Sequence, residues 1–505
     1  MAEKKIYDVA VIGAGIAGLT AAALLQNDGA KVLLLEQHDK PGGCAGYFDV
    51  DDVVLGRFRF DVGATVALGF DAHGLHRRVF DRLSVHDYEA ELLDGLRVVL
   101  PGYEIFMARD SAVWRKQRRK LPGNRAGQEL FWRIQGLVAD AGWNALKRLP
   151  SLPMQTSRDW LRALRLAHPD LAPMLPFLRS TVGDVLRFSR VENDREFVAL
   201  VNLALMITVQ EEAHRTPFTN GCAGLDLWRH GSWHLRGGMG EISRLLMAAF
   251  ERDDGTAYFG QRVEKIRPLT SGGFEIEVRN RESVRAAKVV ANVPLHNVAD
   301  MVELPPRAVR NVSKLAERTQ ERWGAVTLYA ALREEAVPAT TPLHQQVLLD
   351  YEAQPGDGRD VFLSLSAPGD EAQAPHGWRT LTVSTHVRLQ EWSGLSGQQY
   401  RAQKRQWRKR LLEGIRRALP AFDEKRKFVL TGTPQTWHDY TLRDGGSVGG
   451  ARLTLANANF IALPQRIGLR NFWIVGDTTF PGQGTVACAL SGINAWRDIT
   501  GAVEL

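Results

Sequence analysis

The stretch that most restricts this chain is IYDVAVI followed by GAGIAG and then LTAAALLQ. Residues 6–12 have the β-branched and small apolar character of a buried strand, and residues 19–26 read as a helix packed through small side chains. Between them Gly13, Gly15 and Gly18 carry the GxGxxG spacing, with Ala14, Ile16 and Ala17 filling the loop. The first glycine permits a tight turn, the second lets backbone approach a pyrophosphate, and the third lets helix and strand pack closely. The helix start then offers free N–H groups and a positive dipole end to phosphate oxygens. A second strand, residues 31–35, ends at Glu36, about twenty residues on, where a carboxylate can accept hydrogen bonds from a ribose and disfavours a 2′-phosphate. An α/β dinucleotide fold is the expectation. The uncharged run 9–26 has the length of a membrane span, but its three glycines are explained by the loop.

Shortly after Glu36 comes Pro41-Gly42-Gly43. The series GxGxxG, Glu and then a GG pair resembles the FAD-binding signature of the glutathione-reductase-like flavoproteins, which makes FAD the expected cofactor. At 505 residues, with 44% apolar and 24% charged residues, the chain should hold two or three globular domains. The net charge of +7 is concentrated in the basic runs 115–120 and 401–410. In the second run Trp407, Leu411, Ile415 and Leu419 recur every four residues, so a solvated basic helix face or a membrane-contacting one fits it. No RNA-binding or zinc-finger pattern is present, and nucleic acid is not an expected partner. Cys44, Cys222 and Cys488 form no CxxC pair, which suits a reducing compartment without disulfide or metal site. The start MAEKKIYDVAVIG lacks signal-peptide regions, so a cytoplasmic, peripherally membrane-associated protein is expected.

Helical patterns dominate 83–226, including 194–210. Residues 157–188 mix Trp160, Leu161, Leu164 and Leu175 with Arg158, Arg162 and Arg165, a composition open to a core-facing helix pair or to one lying on an anionic bilayer. RGGMGEISRLL (236–246) reads as a turn opening a helix of the same dinucleotide domain, and 258–266, 274–278 and 288–294 as short strands. Two alternating strands flank a loop within 361–386. The expected architecture is an FAD-binding Rossmann domain (1–82, 227–299, 421–505) interleaved with a mixed α+β substrate domain (83–226, 300–420).

A second glycine loop, FPGQGTVACALSG, closes the chain after the strand NFWIV. A helix starting near Gly484 would aim its amides and dipole at the flavin ring end, where negative charge develops on reduction. Gly476, Asp477, Gly484, Thr485 and Val486 are the candidates there, Asp477 for the ribityl or pyrophosphate region. Together with the first loop, GLRNFWIVGDTTFPGQGTVACALSG resembles the FAD-dependent carotenoid desaturase and isomerase family, the phytoene-desaturase-like branch of the amine oxidase superfamily. FDVGAT (60–65), RGGMGEI, ANVP (291–294) and SLSAPGDEAQAPHG (364–377) are similar to family stretches. The resemblance implies that Val263 holds the adenine through its backbone and that the substrate is a lipophilic carotenoid.

A polyene has no acidic proton, so dehydrogenation would move an allylic hydride to the flavin and asks for an apolar tunnel and water exclusion more than for a catalytic dyad. No Ser/His/Asp, paired-carboxylate or metal constellation stands out, and no catalytic residue is assigned. GDTTFPGQGT and GATVALG look nearest to the 3′,4′-desaturases of 1′-hydroxylated acyclic carotenoid ends. A cis/trans isomerase, a phytoene-type desaturase, an amine oxidase and a non-enzymatic lipid escort of this fold are the alternatives. The glycine loops and Glu36 speak against the escort, which would need none of them.

Overall fold

The structure, a computed structural model, describes residues 6–505. Five parallel strands run in the order Phe472–Ile474, Val284–Ala291, Ile6–Ile12, Val32–Leu35, Thr256–Tyr258. In the central strand Val9 and Val11 enter the core on one face and Ala10 and Ile12 the core on the other. A parallel sheet covered on both faces needs apolar side chains on both, which is why this strand shows no alternation in the sequence. Helices Ile16–Asn27, Gly240–Arg252 and Thr485–Thr500 pack on the first face. The helix expected after RGGMG thus joins the dinucleotide domain.

The expected strand 258–266 is divided. After Thr256–Tyr258 the chain crosses the carboxyl ends of the sheet, where the Gly260 N–H donates to the His38 carbonyl at 3.0 Å and the Gln261 N–H to the Glu36 carbonyl at 2.8 Å. Only then does it enter an antiparallel meander of Val263–Pro268, Phe274–Val278 and the start of Val284–Ala291. That last strand changes partner along its length: its end pairs in parallel with Phe472–Ile474.

A second sheet has the order Arg426–Gly432, Trp323–Arg333, Trp378–Arg388, Asp360–Leu365, His344–Leu348, Gly95–Leu100, Tyr103–Ala108, antiparallel except where His344–Leu348 meets Gly95–Leu100. Helix Gly397–Ala418 covers one face through Trp407, Leu411 and Ile415, the stripe read from the sequence. Toward the other face lie helices Arg125–Lys147, Arg195–Thr208 and Phe218–Leu225. Two boundaries differ from expectation. Arg426–Gly432 hydrogen-bonds to Trp323–Arg333, so the chain beyond 421 completes the second sheet before returning to the first. Helices Leu295–Met301 and Pro306–Glu317 bury Val298, Val312 and Leu315 against the first sheet, past the boundary at 299. Neither pairing is visible in local periodicity.

Three motifs without an assigned role meet between the sheets. Asp61 of FDVGAT accepts the Met239 N–H at 2.8 Å, while Asp370 accepts the Gly237 N–H at 2.9 Å and pairs with His234 at 3.0 Å. Thr382 Oγ1 donates to the Asp61 carbonyl at 3.2 Å, tying the junction to the second sheet. Desolvation there pushes the Asp61 carboxyl up to about 7. A carboxyl raised in the folded state contributes stability below its unfolded pKa, near 4, and loses it as pH rises through 7. Asp61→Asn should therefore remove part of the fall in denaturation midpoint between pH 4 and 7; a variant with the wild-type slope would exclude Asp61 as its source.

Candidate functional site

The parallel strands all end at one edge, where an open α/β sheet takes its ligands. Gly13 follows Ile12 there, Glu36 follows Leu35, Asn292 follows Ala291, and Gly476 comes two residues after Ile474. A cavity of about 1500 Å³ starts at this edge and continues into the space between the second sheet and the helices. Of the residues proposed from the sequence, Gly13, Gly15, Ile16, Ala17, Glu36, Gly42, Gly43, Val263, Gly476, Asp477, Gly484, Thr485 and Val486 line it. Ala14 and Gly18 do not. A Cβ at Gly18 would lie 2.2 Å from the Gly13 carbonyl oxygen, so this glycine serves the approach of helix to turn. Ala14 is fully buried and its N–H donates to Glu36 Oε2 at 2.6 Å.

Glu36 is fixed by that bond and by the His38 N–H on Oε1 at 2.8 Å. A carboxylate has about four acceptor positions, which leaves two for a ribose diol. Burial raises its pKa, and the backbone donors oppose that rise by favouring the ionised form. Helix Ile16–Asn27 begins at Gly15 without a side-chain cap, so its first-turn N–H groups have no intrahelical acceptor and face the cavity beside Ile16 and Ala17.

Asn292, in the ANVP stretch, was given no role by sequence reasoning. Its Nδ2 donates to the Gly13 carbonyl at 3.3 Å, and Cβ atoms built at Gly15 and Gly476 would meet its amide at 2.7 and 2.8 Å. It is wedged between the first and last glycine loops, and the available signal was a polar residue directly after an apolar strand of the sheet.

At the far loop Gly484 has φ +95° with nothing within 4 Å of a built Cβ, so conformation and not crowding demands glycine. Helix Thr485–Thr500 starts there, also without a side-chain cap. Thr485 Oγ1 is buried with no protein partner, an orphan at the cavity wall. Asp477 lines the cavity, but its carboxylate has a partner the sequence did not reveal. Arg443 donates to Asp477 Oδ2 at 2.9 Å and, through Nε, to the Ser447 carbonyl at 2.7 Å. Burial pushes the neighbouring Cys44 and Cys488 thiols up, leaving them neutral. Two uncapped helix N-termini opening on one cavity, a carboxylate with acceptor positions to spare and an orphan hydroxyl fit a flavin dinucleotide. Beyond this half the lining turns apolar, with Leu146, Leu152, Leu171, Met174, Leu227 and Phe480.

Sequence and structure comparisons agree with that fit. The family described as flavin containing amine oxidoreductase matches residues 16–500. Prolycopene isomerase from Daucus carota is 25% identical, over 98% of this chain and 80% of its own. The zeta-carotene-forming phytoene desaturase of Myxococcus xanthus is 26% identical, over 96% of this chain and 92% of its own. Cyclohexylamine oxidase from Brevibacterium oxydans shares the fold at 17% identity and a TM-score of 0.62, covering 98% of each chain.

Glu36→Ala should weaken FAD binding by about 10–100-fold, the worth of hydrogen bonds to a charged acceptor. Titration of apoprotein with FAD by flavin fluorescence measures this, and unchanged affinity would remove Glu36 from the adenosine site.

Proposed function

This chain belongs to the family of flavin containing amine oxidoreductases, and from that premise we propose that it is a carotenoid desaturase that introduces the 3′,4′ double bond into a 1′-hydroxylated acyclic carotenoid end. It is an FAD-dependent oxidoreductase, and bound FAD supplies the acceptor for a hydride taken from the substrate chain. The protein's own part is to hold the cofactor at both ends, to orient a long apolar substrate and to keep water out.

One observation carries the carotenoid reading: the apolar half of the cavity ends at an exposed apolar lip. Leu175, Leu178 and Phe460 line the cavity and are 64%, 37% and 51% exposed. Trp160, Leu161 and Leu164 stand exposed on the adjoining segment. A water-borne amine needs no such entrance, whereas a polyene delivered from a bilayer does. We assign this lip to the membrane surface; no helix among the described residues is long and apolar enough to cross one.

Of the three arginines named from the sequence in this segment, two are held by the end of the chain. Arg162 is spent on Asp498 at 2.9 Å and on the Arg497 carbonyl, and Arg165 reaches Glu504 at 3.4 Å. Both anchor the segment to the end of the chain, while Arg158 is exposed beside Trp160, Leu161 and Leu164, the apolar side chains that we assign to the lipid.

A second reading, polyene cis/trans isomerisation, is supported by the 25% identity to prolycopene isomerase across nearly the whole chain. Anaerobic holoprotein in liposomes separates the two. Flavin bleaching together with a red-shifted polyene is the expected outcome, whereas an altered isomer profile that requires pre-reduced flavin would replace desaturase by isomerase. Inertness toward every carotenoid alongside oxidation of amines would remove both. For the lip, the double variant Trp160→Glu, Leu164→Glu should lose liposome co-sedimentation while keeping flavin; retained binding would move the docking surface elsewhere.

A further inference from the structure

We infer that Asp360 and His386 form a binding station for a hydroxyl group on the substrate, set within the otherwise apolar half of the cavity. The inference rests on the reading that the substrate is a long apolar chain, and it names the residues that would recognise its oxygen.

The second sheet lays one face against the cavity, with Tyr329, Ser384, His386, Phe362 and Asp360 in the lining. Tyr329 is committed, its hydroxyl donating to the Val62 carbonyl at 2.5 Å. Among the described residues, Asp360 and His386 are the remaining ionisable side chains that this sheet gives to the wall. They share a face of the sheet for a topological reason. Phe362 pairs with Ser384 at the end of the antiparallel ladder, and Asp360 and His386 lie two residues beyond on their own strands, both lining the cavity.

Neither is fully used inside the protein. Asp360 accepts Gln346 Nε2 on Oδ2 at 3.3 Å. The His386 ring has no hydrogen-bond partner among the described residues and meets only the Trp323 ring, edge-on with centroids 5.9 Å apart. A further donor lines the same cavity. Trp228, 2% exposed and lining the same cavity, has an unpartnered Nε1; its ring lies 6.3 Å from that of His344, which stacks on Phe362.

Burial, with some repulsion from Arg452, lowers His386 to about 4, so at neutral pH the imidazole offers one donor and one acceptor nitrogen. Burial also raises the Asp360 carboxyl, against the attraction of Arg359. An alcohol both donates and accepts: its hydrogen goes to Asp360 and its oxygen receives the imidazole N–H. A hydrocarbon end would desolvate both groups without a partner, and that penalty is what makes such a site discriminate. A carboxylate end would face Asp360 at close range.

The test is a titration of holoprotein in liposomes with an acyclic polyene bearing a terminal tertiary hydroxyl and with its unhydroxylated counterpart. Binding is read from the polyene absorption shift, and turnover is followed separately. Wild type should hold the hydroxylated polyene at least about tenfold more tightly. Asp360→Leu and His386→Leu should each bring that ratio toward one, by weakening the hydroxylated polyene and tightening the unhydroxylated one, with the flavin spectrum unchanged; His386→Gln should keep most of the preference. Equal wild-type affinities, or a preference that survives both leucine variants, would overturn the station, as would equal weakening of both polyenes. If a leucine variant fails to retain flavin, the wild-type ratio and the glutamine variant still decide. Preferential binding without turnover would sustain the station and sink the desaturase, while failure to bind either polyene would sink both.

Discussion

The site depends first on how closely helix Ile16–Asn27 lies on the turn that follows the central strand. No Cβ fits between Gly18 and the Gly13 carbonyl, and this approach points the uncapped helix start along the sheet edge. A second close contact repeats the device: a Cβ at Gly492 would come within 2.4 Å of the Ala17 carbonyl oxygen, so helix Thr485–Thr500 packs directly on the first helix. Two helix dipoles are thereby brought to one cavity, each offering unpaired N–H groups of the kind that suit a cofactor with phosphates at its middle and negative charge developing on its ring.

Polarity along the cavity divides its work. At the cofactor half the groups are fixed backbone amides, a carboxylate held by two N–H donors, and the Arg443–Asp477 pair. Such groups are already oriented before a ligand arrives and need no reorganisation. At the other half, apolar walls and desolvated neutral groups suit a substrate that brings no charge. His386 is kept uncharged there by burial. The exposed Leu175 and Phe460 carry the apolar lining out to the protein surface.

The strand–turn–helix at the start, the acid at Glu36 and the glycine loop before the last helix were all legible in the sequence, because each is a short-range pattern in which turn chemistry and periodicity coincide. The stripe Trp407, Leu411, Ile415 was legible for the same reason, and it covers the sheet as its spacing predicts. Asn292, Arg443, Asp360 and His386 carried no such pattern. Each takes its place in the cavity beside residues far away in the chain: Asn292 with Gly13, Arg443 with Asp477, and Asp360 and His386 on the sheet face next to the Phe362–Ser384 pair.

What the sequence determined by itself is an α/β dinucleotide fold with a second glycine loop opening a helix at its far end, specified by glycines whose spacing alone encodes the geometry. What only the tertiary structure decided is the substrate half. Its floor is a sheet whose strands are drawn from 95–108, 323–388 and 426–432, and its wall comes from helices whose exposed and buried apolar residues read alike in sequence. Hydrogen-bond pairing between distant strands fixes which side chains share a face, and no local pattern carries that information.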